Sequence, residues 1–350
     1  MDELERSAGR ELARMLGVES AYVTSGASAA LTLATAAIIA GEDAAKIDAL
    51  PRVEGVPRDI VVLAAHRDPY DRALEAAGAR LRVVGYPATT HLGEVDRALD
   101  DETAGVLYRP GRPGDHPPLS AICELAARRG IPVLIDGALY APPLENLHRW
   151  MDAGAALVAL SGGKHFRGPQ ASGILCGHAG LVDLVALQHQ DMDEREATWI
   201  RGARSTTPLT PPRQGIGRAM KVGREQIAGL IAAVTRYVEA PGADDEPGIR
   251  ELQQLRALLQ PGTIPVIWHE TSVLGVPVLE LDLAAAGLDA DSFVTALRER
   301  DQPIFLEESE AWRGVLQVNP MGLTHGDGRT IAEAVTAAAR ALRGTEGEHQ

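Results

Sequence analysis

Cysteine is scarce. Cys123 and Cys176 are the only two in 350 residues, far apart and in no CxxC pair. That excludes a disulfide-built scaffold and a zinc site of paired CxxC motifs, and it fits a reducing compartment. Cys123 falls in a helical pattern and Cys176 in an apolar strand-like run, so both read as small buried hydrophobes. Long apolar stretches are missing too. The smoothest, residues 29–40, is interrupted by Thr32 and Thr35 and is shorter than the ~20 residues a membrane helix needs. The opening Met1-Asp2-Glu3-Leu4-Glu5-Arg6 is charged and holds no signal-peptide core. No Walker A is present: His165 follows Gly163-Lys164, and Val158 stands where the first glycine belongs. No GxGxxG follows a strand, which leaves a nicotinamide or flavin site without support. No HExxH argues for zinc. Basic residues are in deficit, 34 Lys plus Arg against 48 Asp plus Glu, for a net charge of -14. So acidic a surface repels phosphate backbones and argues against nucleic acid as a partner, though a local basic pocket for a small anion stays open. The expectation is a soluble, cytosolic protein, 45% hydrophobic and long enough for a sizeable core in two or three domains.

What is present is an alternation of strand-length apolar runs with helical patterns. Residues 60–63, 81–84, 105–108, 132–135 and 157–160 read as strands, and 70–77 and 119–129 as helices. Near-continuous Val, Leu and Ile strands between helices predict an α/β fold with a mostly parallel sheet covered on both faces. Residues 215–237 read as one long helix. The turn-rich Pro241-Gly242-Ala243-Asp244-Asp245-Glu246-Pro247-Gly248 follows it. Beyond it, 249–259, 292–300 and 329–342 read as helices and 264–268, 276–281 and 315–318 as strands. This gives a large domain over 1–240 that includes the long connecting helix, and a smaller α+β domain over 241–350.

Three segments carry chemistry. In Tyr22-Val23-Thr24-Ser25-Gly26-Ala27-Ser28, a strand ends in small residues and a helix begins. Ser25, Gly26 and Ala27 there offer backbone N–H groups to an anion such as a phosphate, beside the simpler reading of an ordinary helix cap. In Pro132-Val133-Leu134-Ile135-Asp136-Gly137-Ala138, Asp136 ends a central strand, at the edge where ligands of open α/β sheets collect. A carboxylate there pairs with a protonated pyridine nitrogen, or serves as a helix cap or metal ligand. In Ser161-Gly162-Gly163-Lys164-His165-Phe166-Arg167-Gly168-Pro169-Gln170, Lys164 directly follows a strand, 28 residues after Asp136. Shielding from water favours the neutral amine that condenses with an aldehyde. Alone, each segment has an ordinary structural reading. Their order, phosphate turn then carboxylate then lysine, is that of an enzyme holding pyridoxal 5′-phosphate (PLP) as a Schiff base on Lys164.

The phrases Ser161-Gly162-Gly163-Lys164, Arg167-Gly168-Pro169-Gln170 and Gly217-Arg218-Ala219-Met220-Lys221-Val222-Gly223-Arg224-Glu225 resemble the group containing D-glucosaminate-6-phosphate ammonia-lyase and bacterial selenocysteine synthase. The resemblance runs from about Leu4 to Leu342. It implies the aminotransferase-like PLP fold type I, with Lys164 bound to the cofactor and Asp136 on the pyridine nitrogen. It further implies that Ser25, Gly26 and Ala27 hold the phosphate with help from Ser161, with Ala138 beside the ring. Active sites of this fold are built across subunits, so at least a homodimer is expected. Members of the group usually begin with a longer Gly- and Asn-rich segment that helps build the substrate mouth. Selenocysteine synthase adds a tRNA-binding domain. The chain starts at the following helix, so no substrate residue is assigned from that region and a tRNA substrate is not expected.

Other candidates sit nearby. His66, in His66-Arg67-Asp68-Pro69-Tyr70, is placed to stack on a cofactor ring or to serve as a structural histidine. Arg67 suits a substrate carboxylate or phosphate, or else a surface ion pair. Arg218 and Lys221, three apart on the expected long helix, would share a face and bind an anion, or form a solvated basic face. Arg167 and Gln170 flank the lysine loop. His165 is expected to point away from the ring, and Arg109 and Arg112 carry less weight. His189, Asp191, Asp193 and Glu194 read as a solvated loop sooner than a metal site. The leading expectation is a lyase acting on a small anionic amino acid or amino sugar acid, by α-proton abstraction, β-elimination and ammonia release. A racemase, aldolase or aminotransferase on the same cofactor is the alternative, and a non-catalytic scaffold is the alternative of another class.

Overall fold

Asp59-Ile60-Val61-Val62-Leu63 is buried at every position, so neither face of this strand meets water and both must be covered. The computed structural model describes residues 2–189, 195–199, 210–243, 245–260, 262–270, 272 and 275–346. It divides into two compact units, Met1–Glu239 and Ala240–Gln350.

The first unit runs α1 (Asp2–Leu16), β1 (Ser20–Thr24), α2 (Ala27–Ala40), α3 (Ala44–Ala49), β2 (Asp59–Leu63), α4 (Arg72–Ala76), β3 (Arg80–Val84), α5 (Leu92–Ala98), β4 (Thr103–Tyr108), α6 (Leu119–Ala127), β5 (Val133–Asp136), α7 (Leu144–Asp152), β6 (Leu157–Ser161), β7 (Gly173–Gly177), α8 (Ala179–His189) and α9 (Arg224–Glu239). Its seven strands lie in the order β1-β7-β6-β5-β4-β2-β3. β7 is antiparallel to both neighbours, and every other pairing is parallel. Side chains alternate between two cores, as a period of two dictates. Val61, Leu63, Val106, Ile135 and Leu160 face one, with residues of α1, α6, α7 and α9. Ile60, Val62, Leu107, Leu134 and Ala159 face the other, with residues of α2, α4 and α8. α2 is apolar round its circumference (Ala30, Leu31, Leu33, Ala34, Ala36 and Ala37 are all buried), which commits it to the interior.

The second unit contains α10 (Glu246–Leu259), β8 (Val266–His269), β9 (Val278–Asp282), α11 (Ala290–Arg298), β10 (Val315–Val318) and α12 (Asp327–Glu346). Its antiparallel sheet has the order β10-β9-β8. Leu252, Leu279, Leu281, Phe293, Leu316 and Val335 form its core. The large, mostly parallel sheet and the small α+β unit make the α/β architecture expected from the sequence.

Two expected helices are corrected. Residues 215–237 do not form a single helix. A 3-10 turn, Ile216–Ala219, ends at Met220 (φ -106, ψ 38), and α9 starts only at Arg224. Gly215 and Gly217 lie so close to α8 that a Cβ on them would come within 2.5 and 2.6 Å of the Gln188 carbonyl oxygen. Each glycine also weakens a helix interior by about 1 kcal/mol relative to Ala. Close packing on α8 therefore wins over helical spacing, and Arg218 and Lys221 do not share a helix face. The helix expected over 70–77 divides into a 3-10 turn, Pro69–Asp71, and α4.

Cys123 and Cys176 are both buried and free. Of the His189 cluster, Asp191, Asp193 and Glu194 lie outside the described residues. Among the described residues no group of three His, Cys, Asp or Glu is arranged to hold a metal. No helix among them is long and apolar enough to cross a membrane.

Leu107 is wholly buried in the central strand β4. Leu107→Ala should lower the stability of the chain by about 2–5 kcal/mol, read from the midpoint of urea unfolding at an unchanged slope.

Candidate active site at the carboxyl edge of the sheet

β1, β2, β4, β5 and β6 point the same way, so their last residues share one edge of the sheet. Thr24 pairs with Gly173, and Gly173 with Ser161, in one row across β1, β7 and β6. The turn Ser25-Gly26-Ala27 and the loop Gly162-Gly163-Lys164 therefore leave the sheet about two strand spacings apart, roughly 10 Å. Asp136 ends β5 opposite Ala159 of β6. Arg109 follows β4, and His66 follows β2 by three residues. The edge thus gathers Ser25, Gly26, Ala27, His66, Arg109, Asp136, Ala138, Ser161 and Lys164.

Gly26 caps α2 with φ 134, a conformation that suits glycine, and no side chain caps the helix. A Cβ built on Gly26 would touch nothing within 4 Å, so the space over the turn is open. α2 has no acidic residue in its first turn. Its leading N–H groups and the positive end of its dipole favour an anion there. Ser25, Gly26 and Ala27 are partly exposed, and Ser161 is buried.

The lysine loop is tightly braced. Gly162 donates its N–H to Ser172 O at 2.9 Å, Gly168 to Gly162 O at 2.8 Å, and Arg167 to Lys164 O at 2.8 Å. A Cβ on Gly162 would lie 2.2 Å from Ser172 Oγ and 2.6 Å from Leu230 Cδ1, so a larger residue would have to displace both side chains. Phe166 anchors the loop in the core, edge-on to Tyr237 with ring centres 5.6 Å apart. Lys164 is half-buried, and Arg167 and Gln170 are exposed beside it. His165 Nε2 lies 3.0 Å from the Leu139 carbonyl oxygen. The chain has three lysines in all, Lys46, Lys164 and Lys221. Lys46 pairs with Asp43 on α3, and Lys221 is exposed after the 3-10 turn.

Arg109 is the hub of the edge, with 2% of its side chain exposed. Its Nε donates to Asp136 Oδ2 at 2.9 Å. Nη1 donates to Asp71 Oδ1 at 2.6 Å and to the His66 carbonyl oxygen at 2.6 Å. Its backbone N–H reaches His66 Nδ1 at 3.3 Å. Ala138 N–H approaches the other Asp136 oxygen, Oδ1, at 3.4 Å. Arg67 is half-exposed and pairs with the buried Asp71. Arg112 pairs with Asp68. Arg218 lies in the 3-10 turn, far along the chain from these residues and not on a face with Lys221. His66 is 1% exposed, edge-on to Tyr108 at 4.5 Å and to His116 at 5.6 Å. Burial pushes its imidazole down from the ordinary 6.5 to about 3, helped by His116, Arg112 and Arg109. Asp71 and His116 are visible in this network only once the chain is folded. For Arg109 a signal existed: it stands one residue past the strand that neighbours the strand of Asp136.

No protein-family model matches the chain. It is 28% identical over 342 residues to a 5′-C-glycyluridine monooxygenase-decarboxylase of a Streptomyces species, across 93% of this chain and 77% of that protein. It is 25% identical over 342 residues to the D-glucosaminate-6-phosphate ammonia lyase of Salmonella typhimurium, across 93% and 83%. An L-seryl-tRNA(Sec) selenium transferase of Moorella thermoacetica is 25% identical over 371 residues, across 93% of this chain and 69% of that one. The solved structure of D-glucosaminate-6-phosphate ammonia-lyase matches with a TM-score of 0.76 at 22% identity, covering 98% of this chain and 87% of that one. A serine palmitoyltransferase of S. paucimobilis, solved with bound PLP, matches with a TM-score of 0.55 at 15% identity, covering 98% and 77%. The fold is therefore the aminotransferase-like fold type I of PLP enzymes. The chain is related to D-glucosaminate-6-phosphate ammonia-lyase and to L-seryl-tRNA(Sec) selenium transferase.

The state of His66 makes stability depend on pH. Its folded value of about 3 lies below the unfolded 6.5. The unfolded chain takes up the proton first, so this contribution is complete above pH 6.5 and is lost as the pH falls toward 3. Urea unfolding at pH 7, 6 and 5 should show the parent losing stability faster than His66→Asn, by up to ~1.4 kcal/mol per pH unit. Parallel profiles would contradict the assignment.

Proposed function

We propose that this chain is a PLP-dependent lyase acting on a small anionic amino acid or amino sugar acid. The observation that carries the reading is the convergence of an uncapped helix start, a braced carboxylate and a half-buried lysine on one sheet edge. Their chemistry fits the cofactor. Ser25, Gly26 and Ala27, with Ser161, would hold the phosphate in the open space over Gly26. Asp136 keeps acceptor capacity beyond its bonds to Arg109 and Ala138, as a carboxylate with about four lone-pair sites should. It would hold the ring nitrogen, with Ala138 beside it and His66 near the ring. Lys164 would bind the aldehyde carbon. When bound, PLP supplies a sink for negative charge at the substrate carbon next to nitrogen.

The side chains then divide the work. Lys164 Nζ would remove the α-proton of the substrate and hold it for return to the leaving group. Asp136 would hold the pyridine nitrogen in its protonated form. Arg167 and Gln170, exposed on the loop that follows Lys164, would meet the anionic end of the substrate. Arg67 is committed to Asp71 and is a weaker candidate, as are Arg218 and Lys221. The likeness to D-glucosaminate-6-phosphate ammonia lyase supports loss of a β-substituent with release of ammonia. The likeness to 5′-C-glycyluridine monooxygenase-decarboxylase supports a second reading, in which the substrate loses carbon dioxide with consumption of oxygen.

Incubation with 2-amino sugar acids, their phosphate esters and β-hydroxy amino acids should release ammonia and an α-keto acid. Carbon dioxide release with oxygen uptake would favour the second reading. A panel in which no substrate exchanges its α-proton with deuterated solvent would overturn the lyase. On any substrate that turns over, Lys164→Ala should lower kcat by at least about 10²–10⁴-fold, the usual worth of a positioned proton-transfer group.

A further inference from the structure

Arg109 stands apart from the other arginines of the sheet edge. Arg67 and Arg112 each form one ion pair and are partly exposed. Arg109 is buried and binds two carboxylates and a backbone carbonyl at once. Its Nη2 is also buried and has no hydrogen-bond partner. A guanidinium placed for stability alone would be a poor choice here. Burying a charge is costly, and an apolar side chain of similar size often does as well or better. The arrangement makes sense if the position of a carboxylate matters more than the stability it gives.

Arg109 Nε holds Asp136 Oδ2 at 2.9 Å. Oδ1 has only the Ala138 N–H, at the long distance of 3.4 Å. One oxygen of Asp136 is thus fixed and the other left to accept. On the far side, Asp71 is a 3-10 residue in direct contact with Arg109 Nη1, and it also accepts from Arg67. The charges alternate along a chain of contacts: Arg67, Asp71, Arg109, Asp136. Asp71 offsets the guanidinium charge, so Arg109 acts chiefly through geometry. The rigid planar fork of arginine fixes the orientation of the carboxylates it bridges, whereas the ammonium of lysine, with three donors on a flexible stem, holds them less directionally.

From this geometry we infer that Arg109 is a positioning residue: braced by Asp71, it turns Asp136 so that Oδ1 faces the cofactor's ring nitrogen. The inference rests on the PLP reading of the site. It predicts that loosening Arg109 changes the cofactor's environment even where Asp136 and Lys164 are intact.

The test is a PLP titration of the purified full-length chain freed of cofactor, for the parent, Arg109→Lys, Asp71→Asn, Asp136→Asn and the double variant Arg109→Lys/Asp136→Asn. Affinity and the position of the visible Schiff-base band are read together with the thermal midpoint. Arg109→Lys keeps the buried charge and so spares the fold. Asp71→Asn weakens the brace without touching Arg109 itself. Arg109→Lys should weaken PLP by about ten- to hundred-fold, the worth of a hydrogen bond to a charged group. It should shift the band in the same direction as Asp136→Asn. The double variant should be no weaker than Asp136→Asn alone, because the two residues act as one unit. Asp71→Asn should shift the band the same way by less. If Arg109→Lys and Asp71→Asn change only the thermal midpoint and keep the parental affinity and band, Arg109 is structural and the inference is overturned. A parent that takes up no PLP overturns the reading of the site, and this inference with it.

Discussion

The architecture depends on β7 running against its neighbours. β1 is laid down near residue 20 and β6 near residue 160, yet the two flank one shared strand because β7 pairs with both. The register Thr24–Gly173–Ser161 sets the distance between the helix start at Gly26 and the loop of Lys164. The row is close-packed at its centre, where a Cβ on Gly173 would lie 2.5 Å from the Gly26 carbonyl carbon. Any larger residue must push the α2 turn away from the sheet. The two ends of the candidate site are thereby held by backbone pairing and a missing side chain. The exposed loops around them contribute less.

The second layer of order is electrostatic. β5 lies between β6 and β4, so its last residue, Asp136, meets both the lysine side of the edge and Arg109. Arg109 ties β4 to β5 through Asp136 and to the segment after β2 through Asp71 and the His66 carbonyl. Three parallel strand ends are joined by one buried side chain. His66 is drawn into the same knot, which is why its ring is buried and its proton affinity depressed. The Arg112–Asp68 pair and the contact of His165 with the Leu139 carbonyl add further links between the loops after these strands.

Much of this was legible in the sequence. Continuous runs such as Ile60-Val61-Val62-Leu63 and Val133-Leu134-Ile135 can only lie between two covered faces, so the α/β class and the strand positions follow from composition alone. Asp136 and Lys164 were visible because strand ends in such sheets collect ligands and because their order along the chain matched a known group. The segment after residue 215 was not legible. Its spacing is helical, but contact of Gly215 and Gly217 with α8 decides its conformation, and that contact joins residues distant in sequence. The contacts that bury His66 were likewise hidden. They join the segment after β2 to the end of β4, and no local pattern reports which strand lies beside which.

The central claim is that Lys164 carries the cofactor, and the scarcity of lysine makes it unusually open to test. With Lys46, Lys164 and Lys221 the only candidates, borohydride reduction of the PLP-treated chain followed by peptide mass mapping has three possible sites besides the N-terminal amine. The account predicts a stoichiometric phosphopyridoxyl label on the peptide containing Lys164, with Lys46 and Lys221 unmodified. A label spread over the exposed lysines, or none on the Lys164 peptide, would contradict it.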